Sequence, residues 1–153
     1  MSELNNMPME VLLRVRYAEC DAQQVVFNSR YAEYADLAAT EFMRAVLGGF
    51  DKLLAQGLDN QVVNLNISWQ RPAKFDDVIC MKVSVSKVGS SSFTLHVDMF
   101  QQKDGQSICT IEVIYVMVDA KNYKKVEINQ ALKQQLLEGA PGVRVNLAGL
   151  INN

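Results

Sequence analysis

The stretch Tyr17-Ala-Glu-Cys-Asp-Ala-Gln-Gln-Val-Val-Phe-Asn-Ser-Arg-Tyr31 decides how this chain is read. It places one acidic side chain, Asp21, at the end of an apolar strand, before a short polar turn and a helix entrance marked by Asn28 and Ser29. Asn28 is expected to cap that helix, because its side-chain oxygen can accept an unpaired N–H of the first turn. A carboxylate facing a helix N-terminus suits attack on a carbonyl. The helix end offers N–H groups to a developing oxyanion, and the carboxylate offers a base or a nucleophile.

Working outward, residues 11 to 18 read as a strand and residues from Ser29 to about Leu47 switch to helical periodicity. Tyr31, Ala35, Ala38, Phe42 and Ala45 recur at three- and four-residue steps and define the expected buried stripe, small at Ala35, Ala38 and Ala39. Gly48-Gly49 closes this helix, and residues 50 to 56 offer a short second one. Residues 61 to 69, 77 to 88, 92 to 102 and 107 to 118 are β-branched and aromatic runs separated by hairpin-type turns. A last helix is expected over residues 129 to 138, followed by a weakly patterned tail.

The 153 residues suffice for one domain with one core, and 49% hydrophobic with 21% charged residues is the balance of a globular chain. A net charge of -2 argues against nucleic acid as the partner. No apolar run has the length of a membrane span, and residues 1 to 6 do not read as a signal peptide. Cys20, Cys80 and Cys109 are odd in number and scattered, which reads as buried free thiols in a reducing compartment, the cytoplasm.

The pattern around Asp21 resembles the motif of the 4-hydroxybenzoyl-CoA thioesterase family, acyl-CoA thioesterases of the hot-dog fold. Asp21, Val25, Val26, Phe27, Asn28 and Tyr31 match in order, while Gln24 stands where the family usually has Gly. If that position needs a positive φ, Gln24 is strained there. The resemblance covers roughly residues 10 to 138. It implies an α+β fold, a curved antiparallel sheet of about five strands around a long central helix, in one domain over 1–153 with a tail at 139–153.

The same resemblance implies hydrolysis of a fatty or aromatic acyl-CoA, with Asp21 attacking the carbonyl or activating a water. A backbone N–H at or beside Asn28 would polarise that carbonyl. Tyr31, Val63 and Asn64 would contact the substrate, and Lys87, Gly89, Ser90 and Ser91 the pantetheine arm and phosphates. No cofactor is implied, since coenzyme A is part of the substrate. Relatives assemble as homodimers or as dimers of dimers (homotetramers), which implies a homo-oligomer here.

Glu19, Glu33, Asp36 and Glu41 read as structural carboxylates, and Arg71 and Lys74 as further candidates for phosphates. His96, the single histidine, sits mid-strand on a polar face with Thr94 and Asp98 and reads as solvated or interfacial. No Gly-x-Ser-x-Gly elbow accompanies it, and no zinc set can be assembled from one His and separated cysteines. Strand alternation turns Cys20 away if Asp21 points into a site. The alternative from another class is a non-catalytic acyl-CoA binding or effector-sensing module on the same fold.

Overall fold

The computed structural model describes residues 7–151; residues 1 to 6, read above as no signal peptide, lie outside the described residues. The chain runs β1 (Met9–Arg14), a single 3-10 turn (Tyr17–Glu19), α1 (Arg30–Leu47), α2 (Phe50–Ala55), β2 (Leu58–Trp69) and β3 (Val78–Val88). It continues through β4 (Ser92–Gln101), β5 (Ser107–Asp119), α3 (Gln130–Glu138) and β6 (Arg144–Leu147). One six-stranded sheet results, in the order β2-β5-β4-β3-β1-β6.

The first five strands of the sheet pair antiparallel, and β6 lies parallel to β1 with Val11 opposite Val145. The sheet is therefore mixed and six-stranded, where an antiparallel sheet of about five strands was expected. The added strand comes from the stretch read as a weakly patterned tail. Four residues, Arg144-Val-Asn-Leu147, are too few to show a period, and glycines at 142 and 149 frame them as a loop would be framed.

On the α1 side, Tyr31, Tyr34, Ala35, Ala38, Ala39, Phe42 and Met43 are buried against β1, β3 and β4. Ala45, expected on this stripe, is exposed, and Met43 takes the inward position near the helix end. The sheet answers with alternating residues: Phe93, Leu95, Val97 and Met99 of β4 and Ile111, Val113, Tyr115 and Met117 of β5. Phe42 is fully buried, so truncation to Ala would remove about 3–5 kcal/mol. Gly48 ends α1 with a φ of 86° and hydrogen bonds back to Arg44 and Met43 carbonyls.

The loop between β2 and β3 positions the candidate site. Val15 donates to the Asp77 carbonyl at 2.9 Å, and Asp76 donates back to the Val15 carbonyl at 3.1 Å. Further along, Val26 donates to the Ala73 carbonyl at 2.9 Å and Phe75 to the Gln24 carbonyl at 3.3 Å. Residues 21 to 26 thus hang between this loop and the start of α1.

Candidate active site

Asp21 does not end a strand. The chain leaves the sheet after Arg14, makes the 3-10 turn, and then folds residues 19–27 into a small hairpin. Its legs meet at a Cys20–Val26 bridge, with Phe27 donating to the Glu19 carbonyl at 2.9 Å and Asp21 to the Val25 carbonyl at 2.9 Å. Gln24 donates to the Asp21 carbonyl at 2.9 Å and holds a φ of 65°, the left-handed conformation expected where the family carries Gly. The strain read from the sequence is present.

Asp21 lines an open concavity of about 560 Å³ with Tyr17, Cys20, Ala22, Gln24 and Phe75. Tyr17 and Phe75 form an edge-to-face pair, their centroids 5.7 Å apart, so an apolar wall stands beside the carboxylate. One Asp21 oxygen accepts the Gln23 N–H at 2.8 Å, the geometry of an Asx turn. This bond fixes the side chain without burying it, and the second oxygen stays open to solvent. Cys20 shares the concavity, against the expectation from strand alternation, because a turn and not a strand carries the pair.

The helix entrance also differs by one residue from the expectation. Ser29, not Asn28, holds the cap position, and its side chain makes no cap hydrogen bond. A turn closed by Arg30 donating to the Phe27 carbonyl at 2.9 Å precedes the helix. The Asn28 and Ser29 N–H groups are left without an acceptor among the described residues. Two unpaired donors at a helix N-terminus, just past the hairpin that carries Asp21, can receive negative charge.

The remaining expected site residues are spread over the sheet. Tyr31 is buried, with its hydroxyl accepting the Ala73 N–H at 3.1 Å. Val63 is the extra residue of a bulge in β2 between Val62 and Asn64, and both Val63 and Asn64 are exposed on this edge strand. Lys87, Gly89, Ser90 and Ser91 lie at the β3–β4 hairpin, where the Ser90 and Ser91 carbonyls accept the Ile128 and Met117 N–H groups at 2.7 Å each. Arg71 and Lys74 line a separate hollow of about 300 Å³ with Lys103, Asp77 and Asp104.

Strand registers put the Asp21 hairpin at the sheet end defined by Arg14, Val78 and Gln101. The Lys87–Ser91 hairpin is at the other end, beyond the Val88–Phe93 rung, roughly 30 Å away along β4. One chain therefore holds the Lys87 group apart from Asp21, and neither Asn28 nor Ser29 lines the Asp21 concavity.

His96 lies on the sheet face away from α1, with Nε2 3.1 Å from Asp98 and Nδ1 3.6 Å from Glu112. It does not line the Asp21 concavity. Among the described residues, no set of three or more His, Cys, Asp or Glu side chains is arranged to hold a metal ion. No helix there is long and apolar enough to cross a membrane. The signal that sequence reading passed over is the aromatic pair: Tyr17 is 78% exposed and Phe75 50%, unusual for such rings unless something covers them.

The family pattern described as the thioesterase superfamily matches residues 23–108, more than half of the chain. The chain belongs to the thioesterase superfamily. Its reaction class is thioester hydrolysis, and within this superfamily protein Asp21 falls just ahead of the matched span while Asn28, Tyr31, Val63, Asn64 and Lys87–Ser91 fall inside it. Escherichia coli (strain K12) long-chain acyl-CoA thioesterase FadM is 25% identical over 128 residues, covering 84% of this chain and 96% of that one. Acyl-CoA thioesterase YbgC of Haemophilus influenzae is 29% identical over 122 residues, covering 79% and 88%.

Solved structures of the superfamily share the fold. A thioesterase superfamily protein of Jannaschia sp. CCS1 superposes with a TM-score of 0.80 at 19% identity, covering 92% of this chain and 99% of that one. A 1,4-dihydroxy-2-naphthoyl-CoA thioesterase of Synechocystis superposes with a TM-score of 0.75 at 15% identity, covering 83% and 93%. The superfamily protein has the hot-dog fold of these neighbours.

Proposed function

We propose that this protein hydrolyses acyl-CoA thioesters, as a member of the 4-hydroxybenzoyl-CoA thioesterase family acting in the cytoplasm. The observation that supports the proposal is the hairpin over residues 19–27, which leaves Asp21 in an open concavity and runs directly into the α1 entrance, where the Asn28 and Ser29 N–H groups have no acceptor among the described residues. Asp21 attacks the thioester carbonyl or takes a proton from the attacking water, and Asn28 or Ser29 N–H receives the oxyanion. The Tyr17–Phe75 wall offers apolar contact to the acyl or pantetheine portion. No cofactor is needed, since coenzyme A arrives as part of the substrate.

The working unit is a homodimer or a dimer of dimers. β2 is an open edge of twelve residues with Val62, Val63 and Leu65 exposed. Pairing two β2 edges antiparallel puts the Asp21 end of one copy beside the Lys87–Ser91 end of the other. That arrangement rejoins the groups one chain holds apart, with Val63 and Asn64 lining the seam. The 1–153 chain acts as one domain.

Thiol release from short, long and aromatic acyl-CoA thioesters tests the reading, with signal from the protein's own three cysteines subtracted. Asp21→Asn is expected to keep the fold and to lower kcat by at least about a hundredfold. Near-normal turnover by the folded variant would dismiss Asp21.

A second reading, an acyl-CoA binding or sensing module, draws on the Asx-turn bond from Gln23 N–H, which gives the Asp21 carboxylate a structural role as well. Tight binding in a calorimetric titration, with the thioester intact hours later, would favour it over the enzyme.

A further inference from the structure

Glu19 is the one buried carboxylate among the described residues, only 3% exposed, and the mechanism above does not use it. Its Oε1 accepts the Arg16 N–H at 2.8 Å and the Tyr34 hydroxyl at 3.0 Å. Its Oε2 accepts the Arg16 guanidinium at 3.0 Å. Its backbone carbonyl accepts the Phe27 N–H at 2.9 Å. Tyr34 itself is fully buried on α1.

A single residue therefore ties the 3-10 turn, the helix and the returning leg of the hairpin. Burying a carboxylate costs several kcal/mol unless every lone pair finds a donor, and a packed apolar residue would hold a turn at less cost. What an apolar residue could not do is fix the turn in one orientation against α1. Asp21 follows Glu19 by two residues, and Asn28 follows the Phe27 N–H that Glu19 holds. Both halves of the proposed machinery hang from this anchor.

We propose that Glu19, clamped by Arg16 and Tyr34, is a positioning residue that sets the aim of Asp21 relative to the N–H groups of Asn28 and Ser29. The inference rests on the thioesterase reading for its catalytic consequence, but its structural half stands apart. Glu19→Gln preserves an acceptor for Arg16 N–H and Tyr34 while giving up the ion pair with the Arg16 guanidinium, whereas Glu19→Ala removes all three side-chain bonds and Tyr34→Phe removes one.

The experiment pairs steady-state kinetics on the most active acyl-CoA with hydrogen exchange of the backbone amides, in the full chain. Glu19→Ala is expected to lower kcat about thirtyfold or more with KM within about threefold, because misplacing a reacting group costs turnover before it costs binding. Tyr34→Phe, the milder change should Glu19→Ala not fold, is expected to lower kcat about tenfold, and Glu19→Gln is expected to stay within about fivefold of wild type. Amides of Asp21, Gln24 and Phe27 are expected to lose protection in Glu19→Ala and Tyr34→Phe while β4 amides keep theirs.

Folded variants with unchanged kcat, or with unchanged protection over residues 21–27, would overturn the proposal. Equal loss in Glu19→Gln and Glu19→Ala would do so as well. Should wild type hydrolyse no thioester, the enzyme reading fails on its own. Exchange then decides for Glu19: deprotection confined to the hairpin supports the anchor, and none refutes it.

Discussion

The Tyr31 hydroxyl accepts the backbone N–H of Ala73 at 3.1 Å, across the interface between α1 and the β2–β3 loop. The ring also meets Tyr34 and Trp69 edge-on, with centroids 6.0 Å and 5.8 Å away. The oxygen is thus occupied by the protein, and burial raises its pKa, with the Ala73 bond opposing. Tyr31→Phe leaves a buried N–H unpaired and is expected to cost about 1–3 kcal/mol in urea denaturation. A change below about 0.5 kcal/mol would mean that water replaces the hydroxyl.

Gln24 holds its φ of 65° against the preference of any side chain with a Cβ. Gln24→Gly relieves a strain of about 1–2 kcal/mol and adds chain entropy worth about 0.5–1 kcal/mol to the unfolded state. The expected net result is a stabilisation of up to about 1 kcal/mol with the Asp21 hairpin retained. Thermal melting of the two proteins under matched conditions reads it, and a lower melting point for the glycine variant would contradict it.

How much of this was legible in the sequence depends on how local the determining forces are. The runs at 77–88, 92–102 and 107–118 became β3, β4 and β5 with ends shifted by one residue at most, because β-branched alternation and glycine turns act locally. The positive φ at Gln24 was legible from a motif position. β1 was misplaced, since Arg16, Tyr17 and Ala18 continue the alternation while the β2–β3 loop captures Val15 and bends the chain away. Asn28 lost the cap to Ser29 because Arg30 closes a turn on Phe27 first. The burial of Glu19 depends on Tyr34, fifteen residues away. No local pattern encodes such a contact.

Glu19 also gives the fold a defined acid response. Burial pushes its carboxyl up, but hydrogen bonds from the Arg16 side chain and N–H and from Tyr34 outweigh burial and hold it below the usual carboxylate range. A depressed folded pKa means that the stabilisation is complete above the unfolded value of about 4.3 and is lost as pH falls through the folded value. The stability difference between wild type and Glu19→Gln is expected to shrink steadily below about pH 4.3. A difference that grows on acidification would reverse the sign and refute the assignment.

The three thiols differ in reach. Burial pushes Cys80 to about 11 and Cys109 to about 12, while Cys20 is raised by partial burial and then by Glu19 and Asp21 but remains part-exposed. At about pH 8 a thiol reagent is expected to modify Cys20 alone in the native protein and all three cysteines after denaturation. Mass spectrometry of the labelled chain distinguishes the sites. Rapid native labelling of Cys109 would show that the core opens on the labelling timescale.

Edge association through β2 can be broken with charge. Val63 is 59% exposed and Leu65 44%, so Val63→Lys with Leu65→Lys leaves the folded chain intact but sets like charges against each other across a symmetric seam. The double variant is expected to sediment as a monomer and to lose turnover together with assembly. A monomeric variant with full activity would show that one chain holds a complete site.

The short sixth strand has a consequence for how the molecule can multiply. By lying along β1, Arg144–Leu147 occupies one flank of the sheet with a strand of four residues that begins on a charge. Among the described residues, only the β2 flank keeps a long run of open backbone donors and acceptors. The chain therefore has a strand valence of one. Two copies that meet along β2 use up the one long docking edge among the described residues, so growth by strand addition terminates at the pair and any larger assembly uses faces instead of edges.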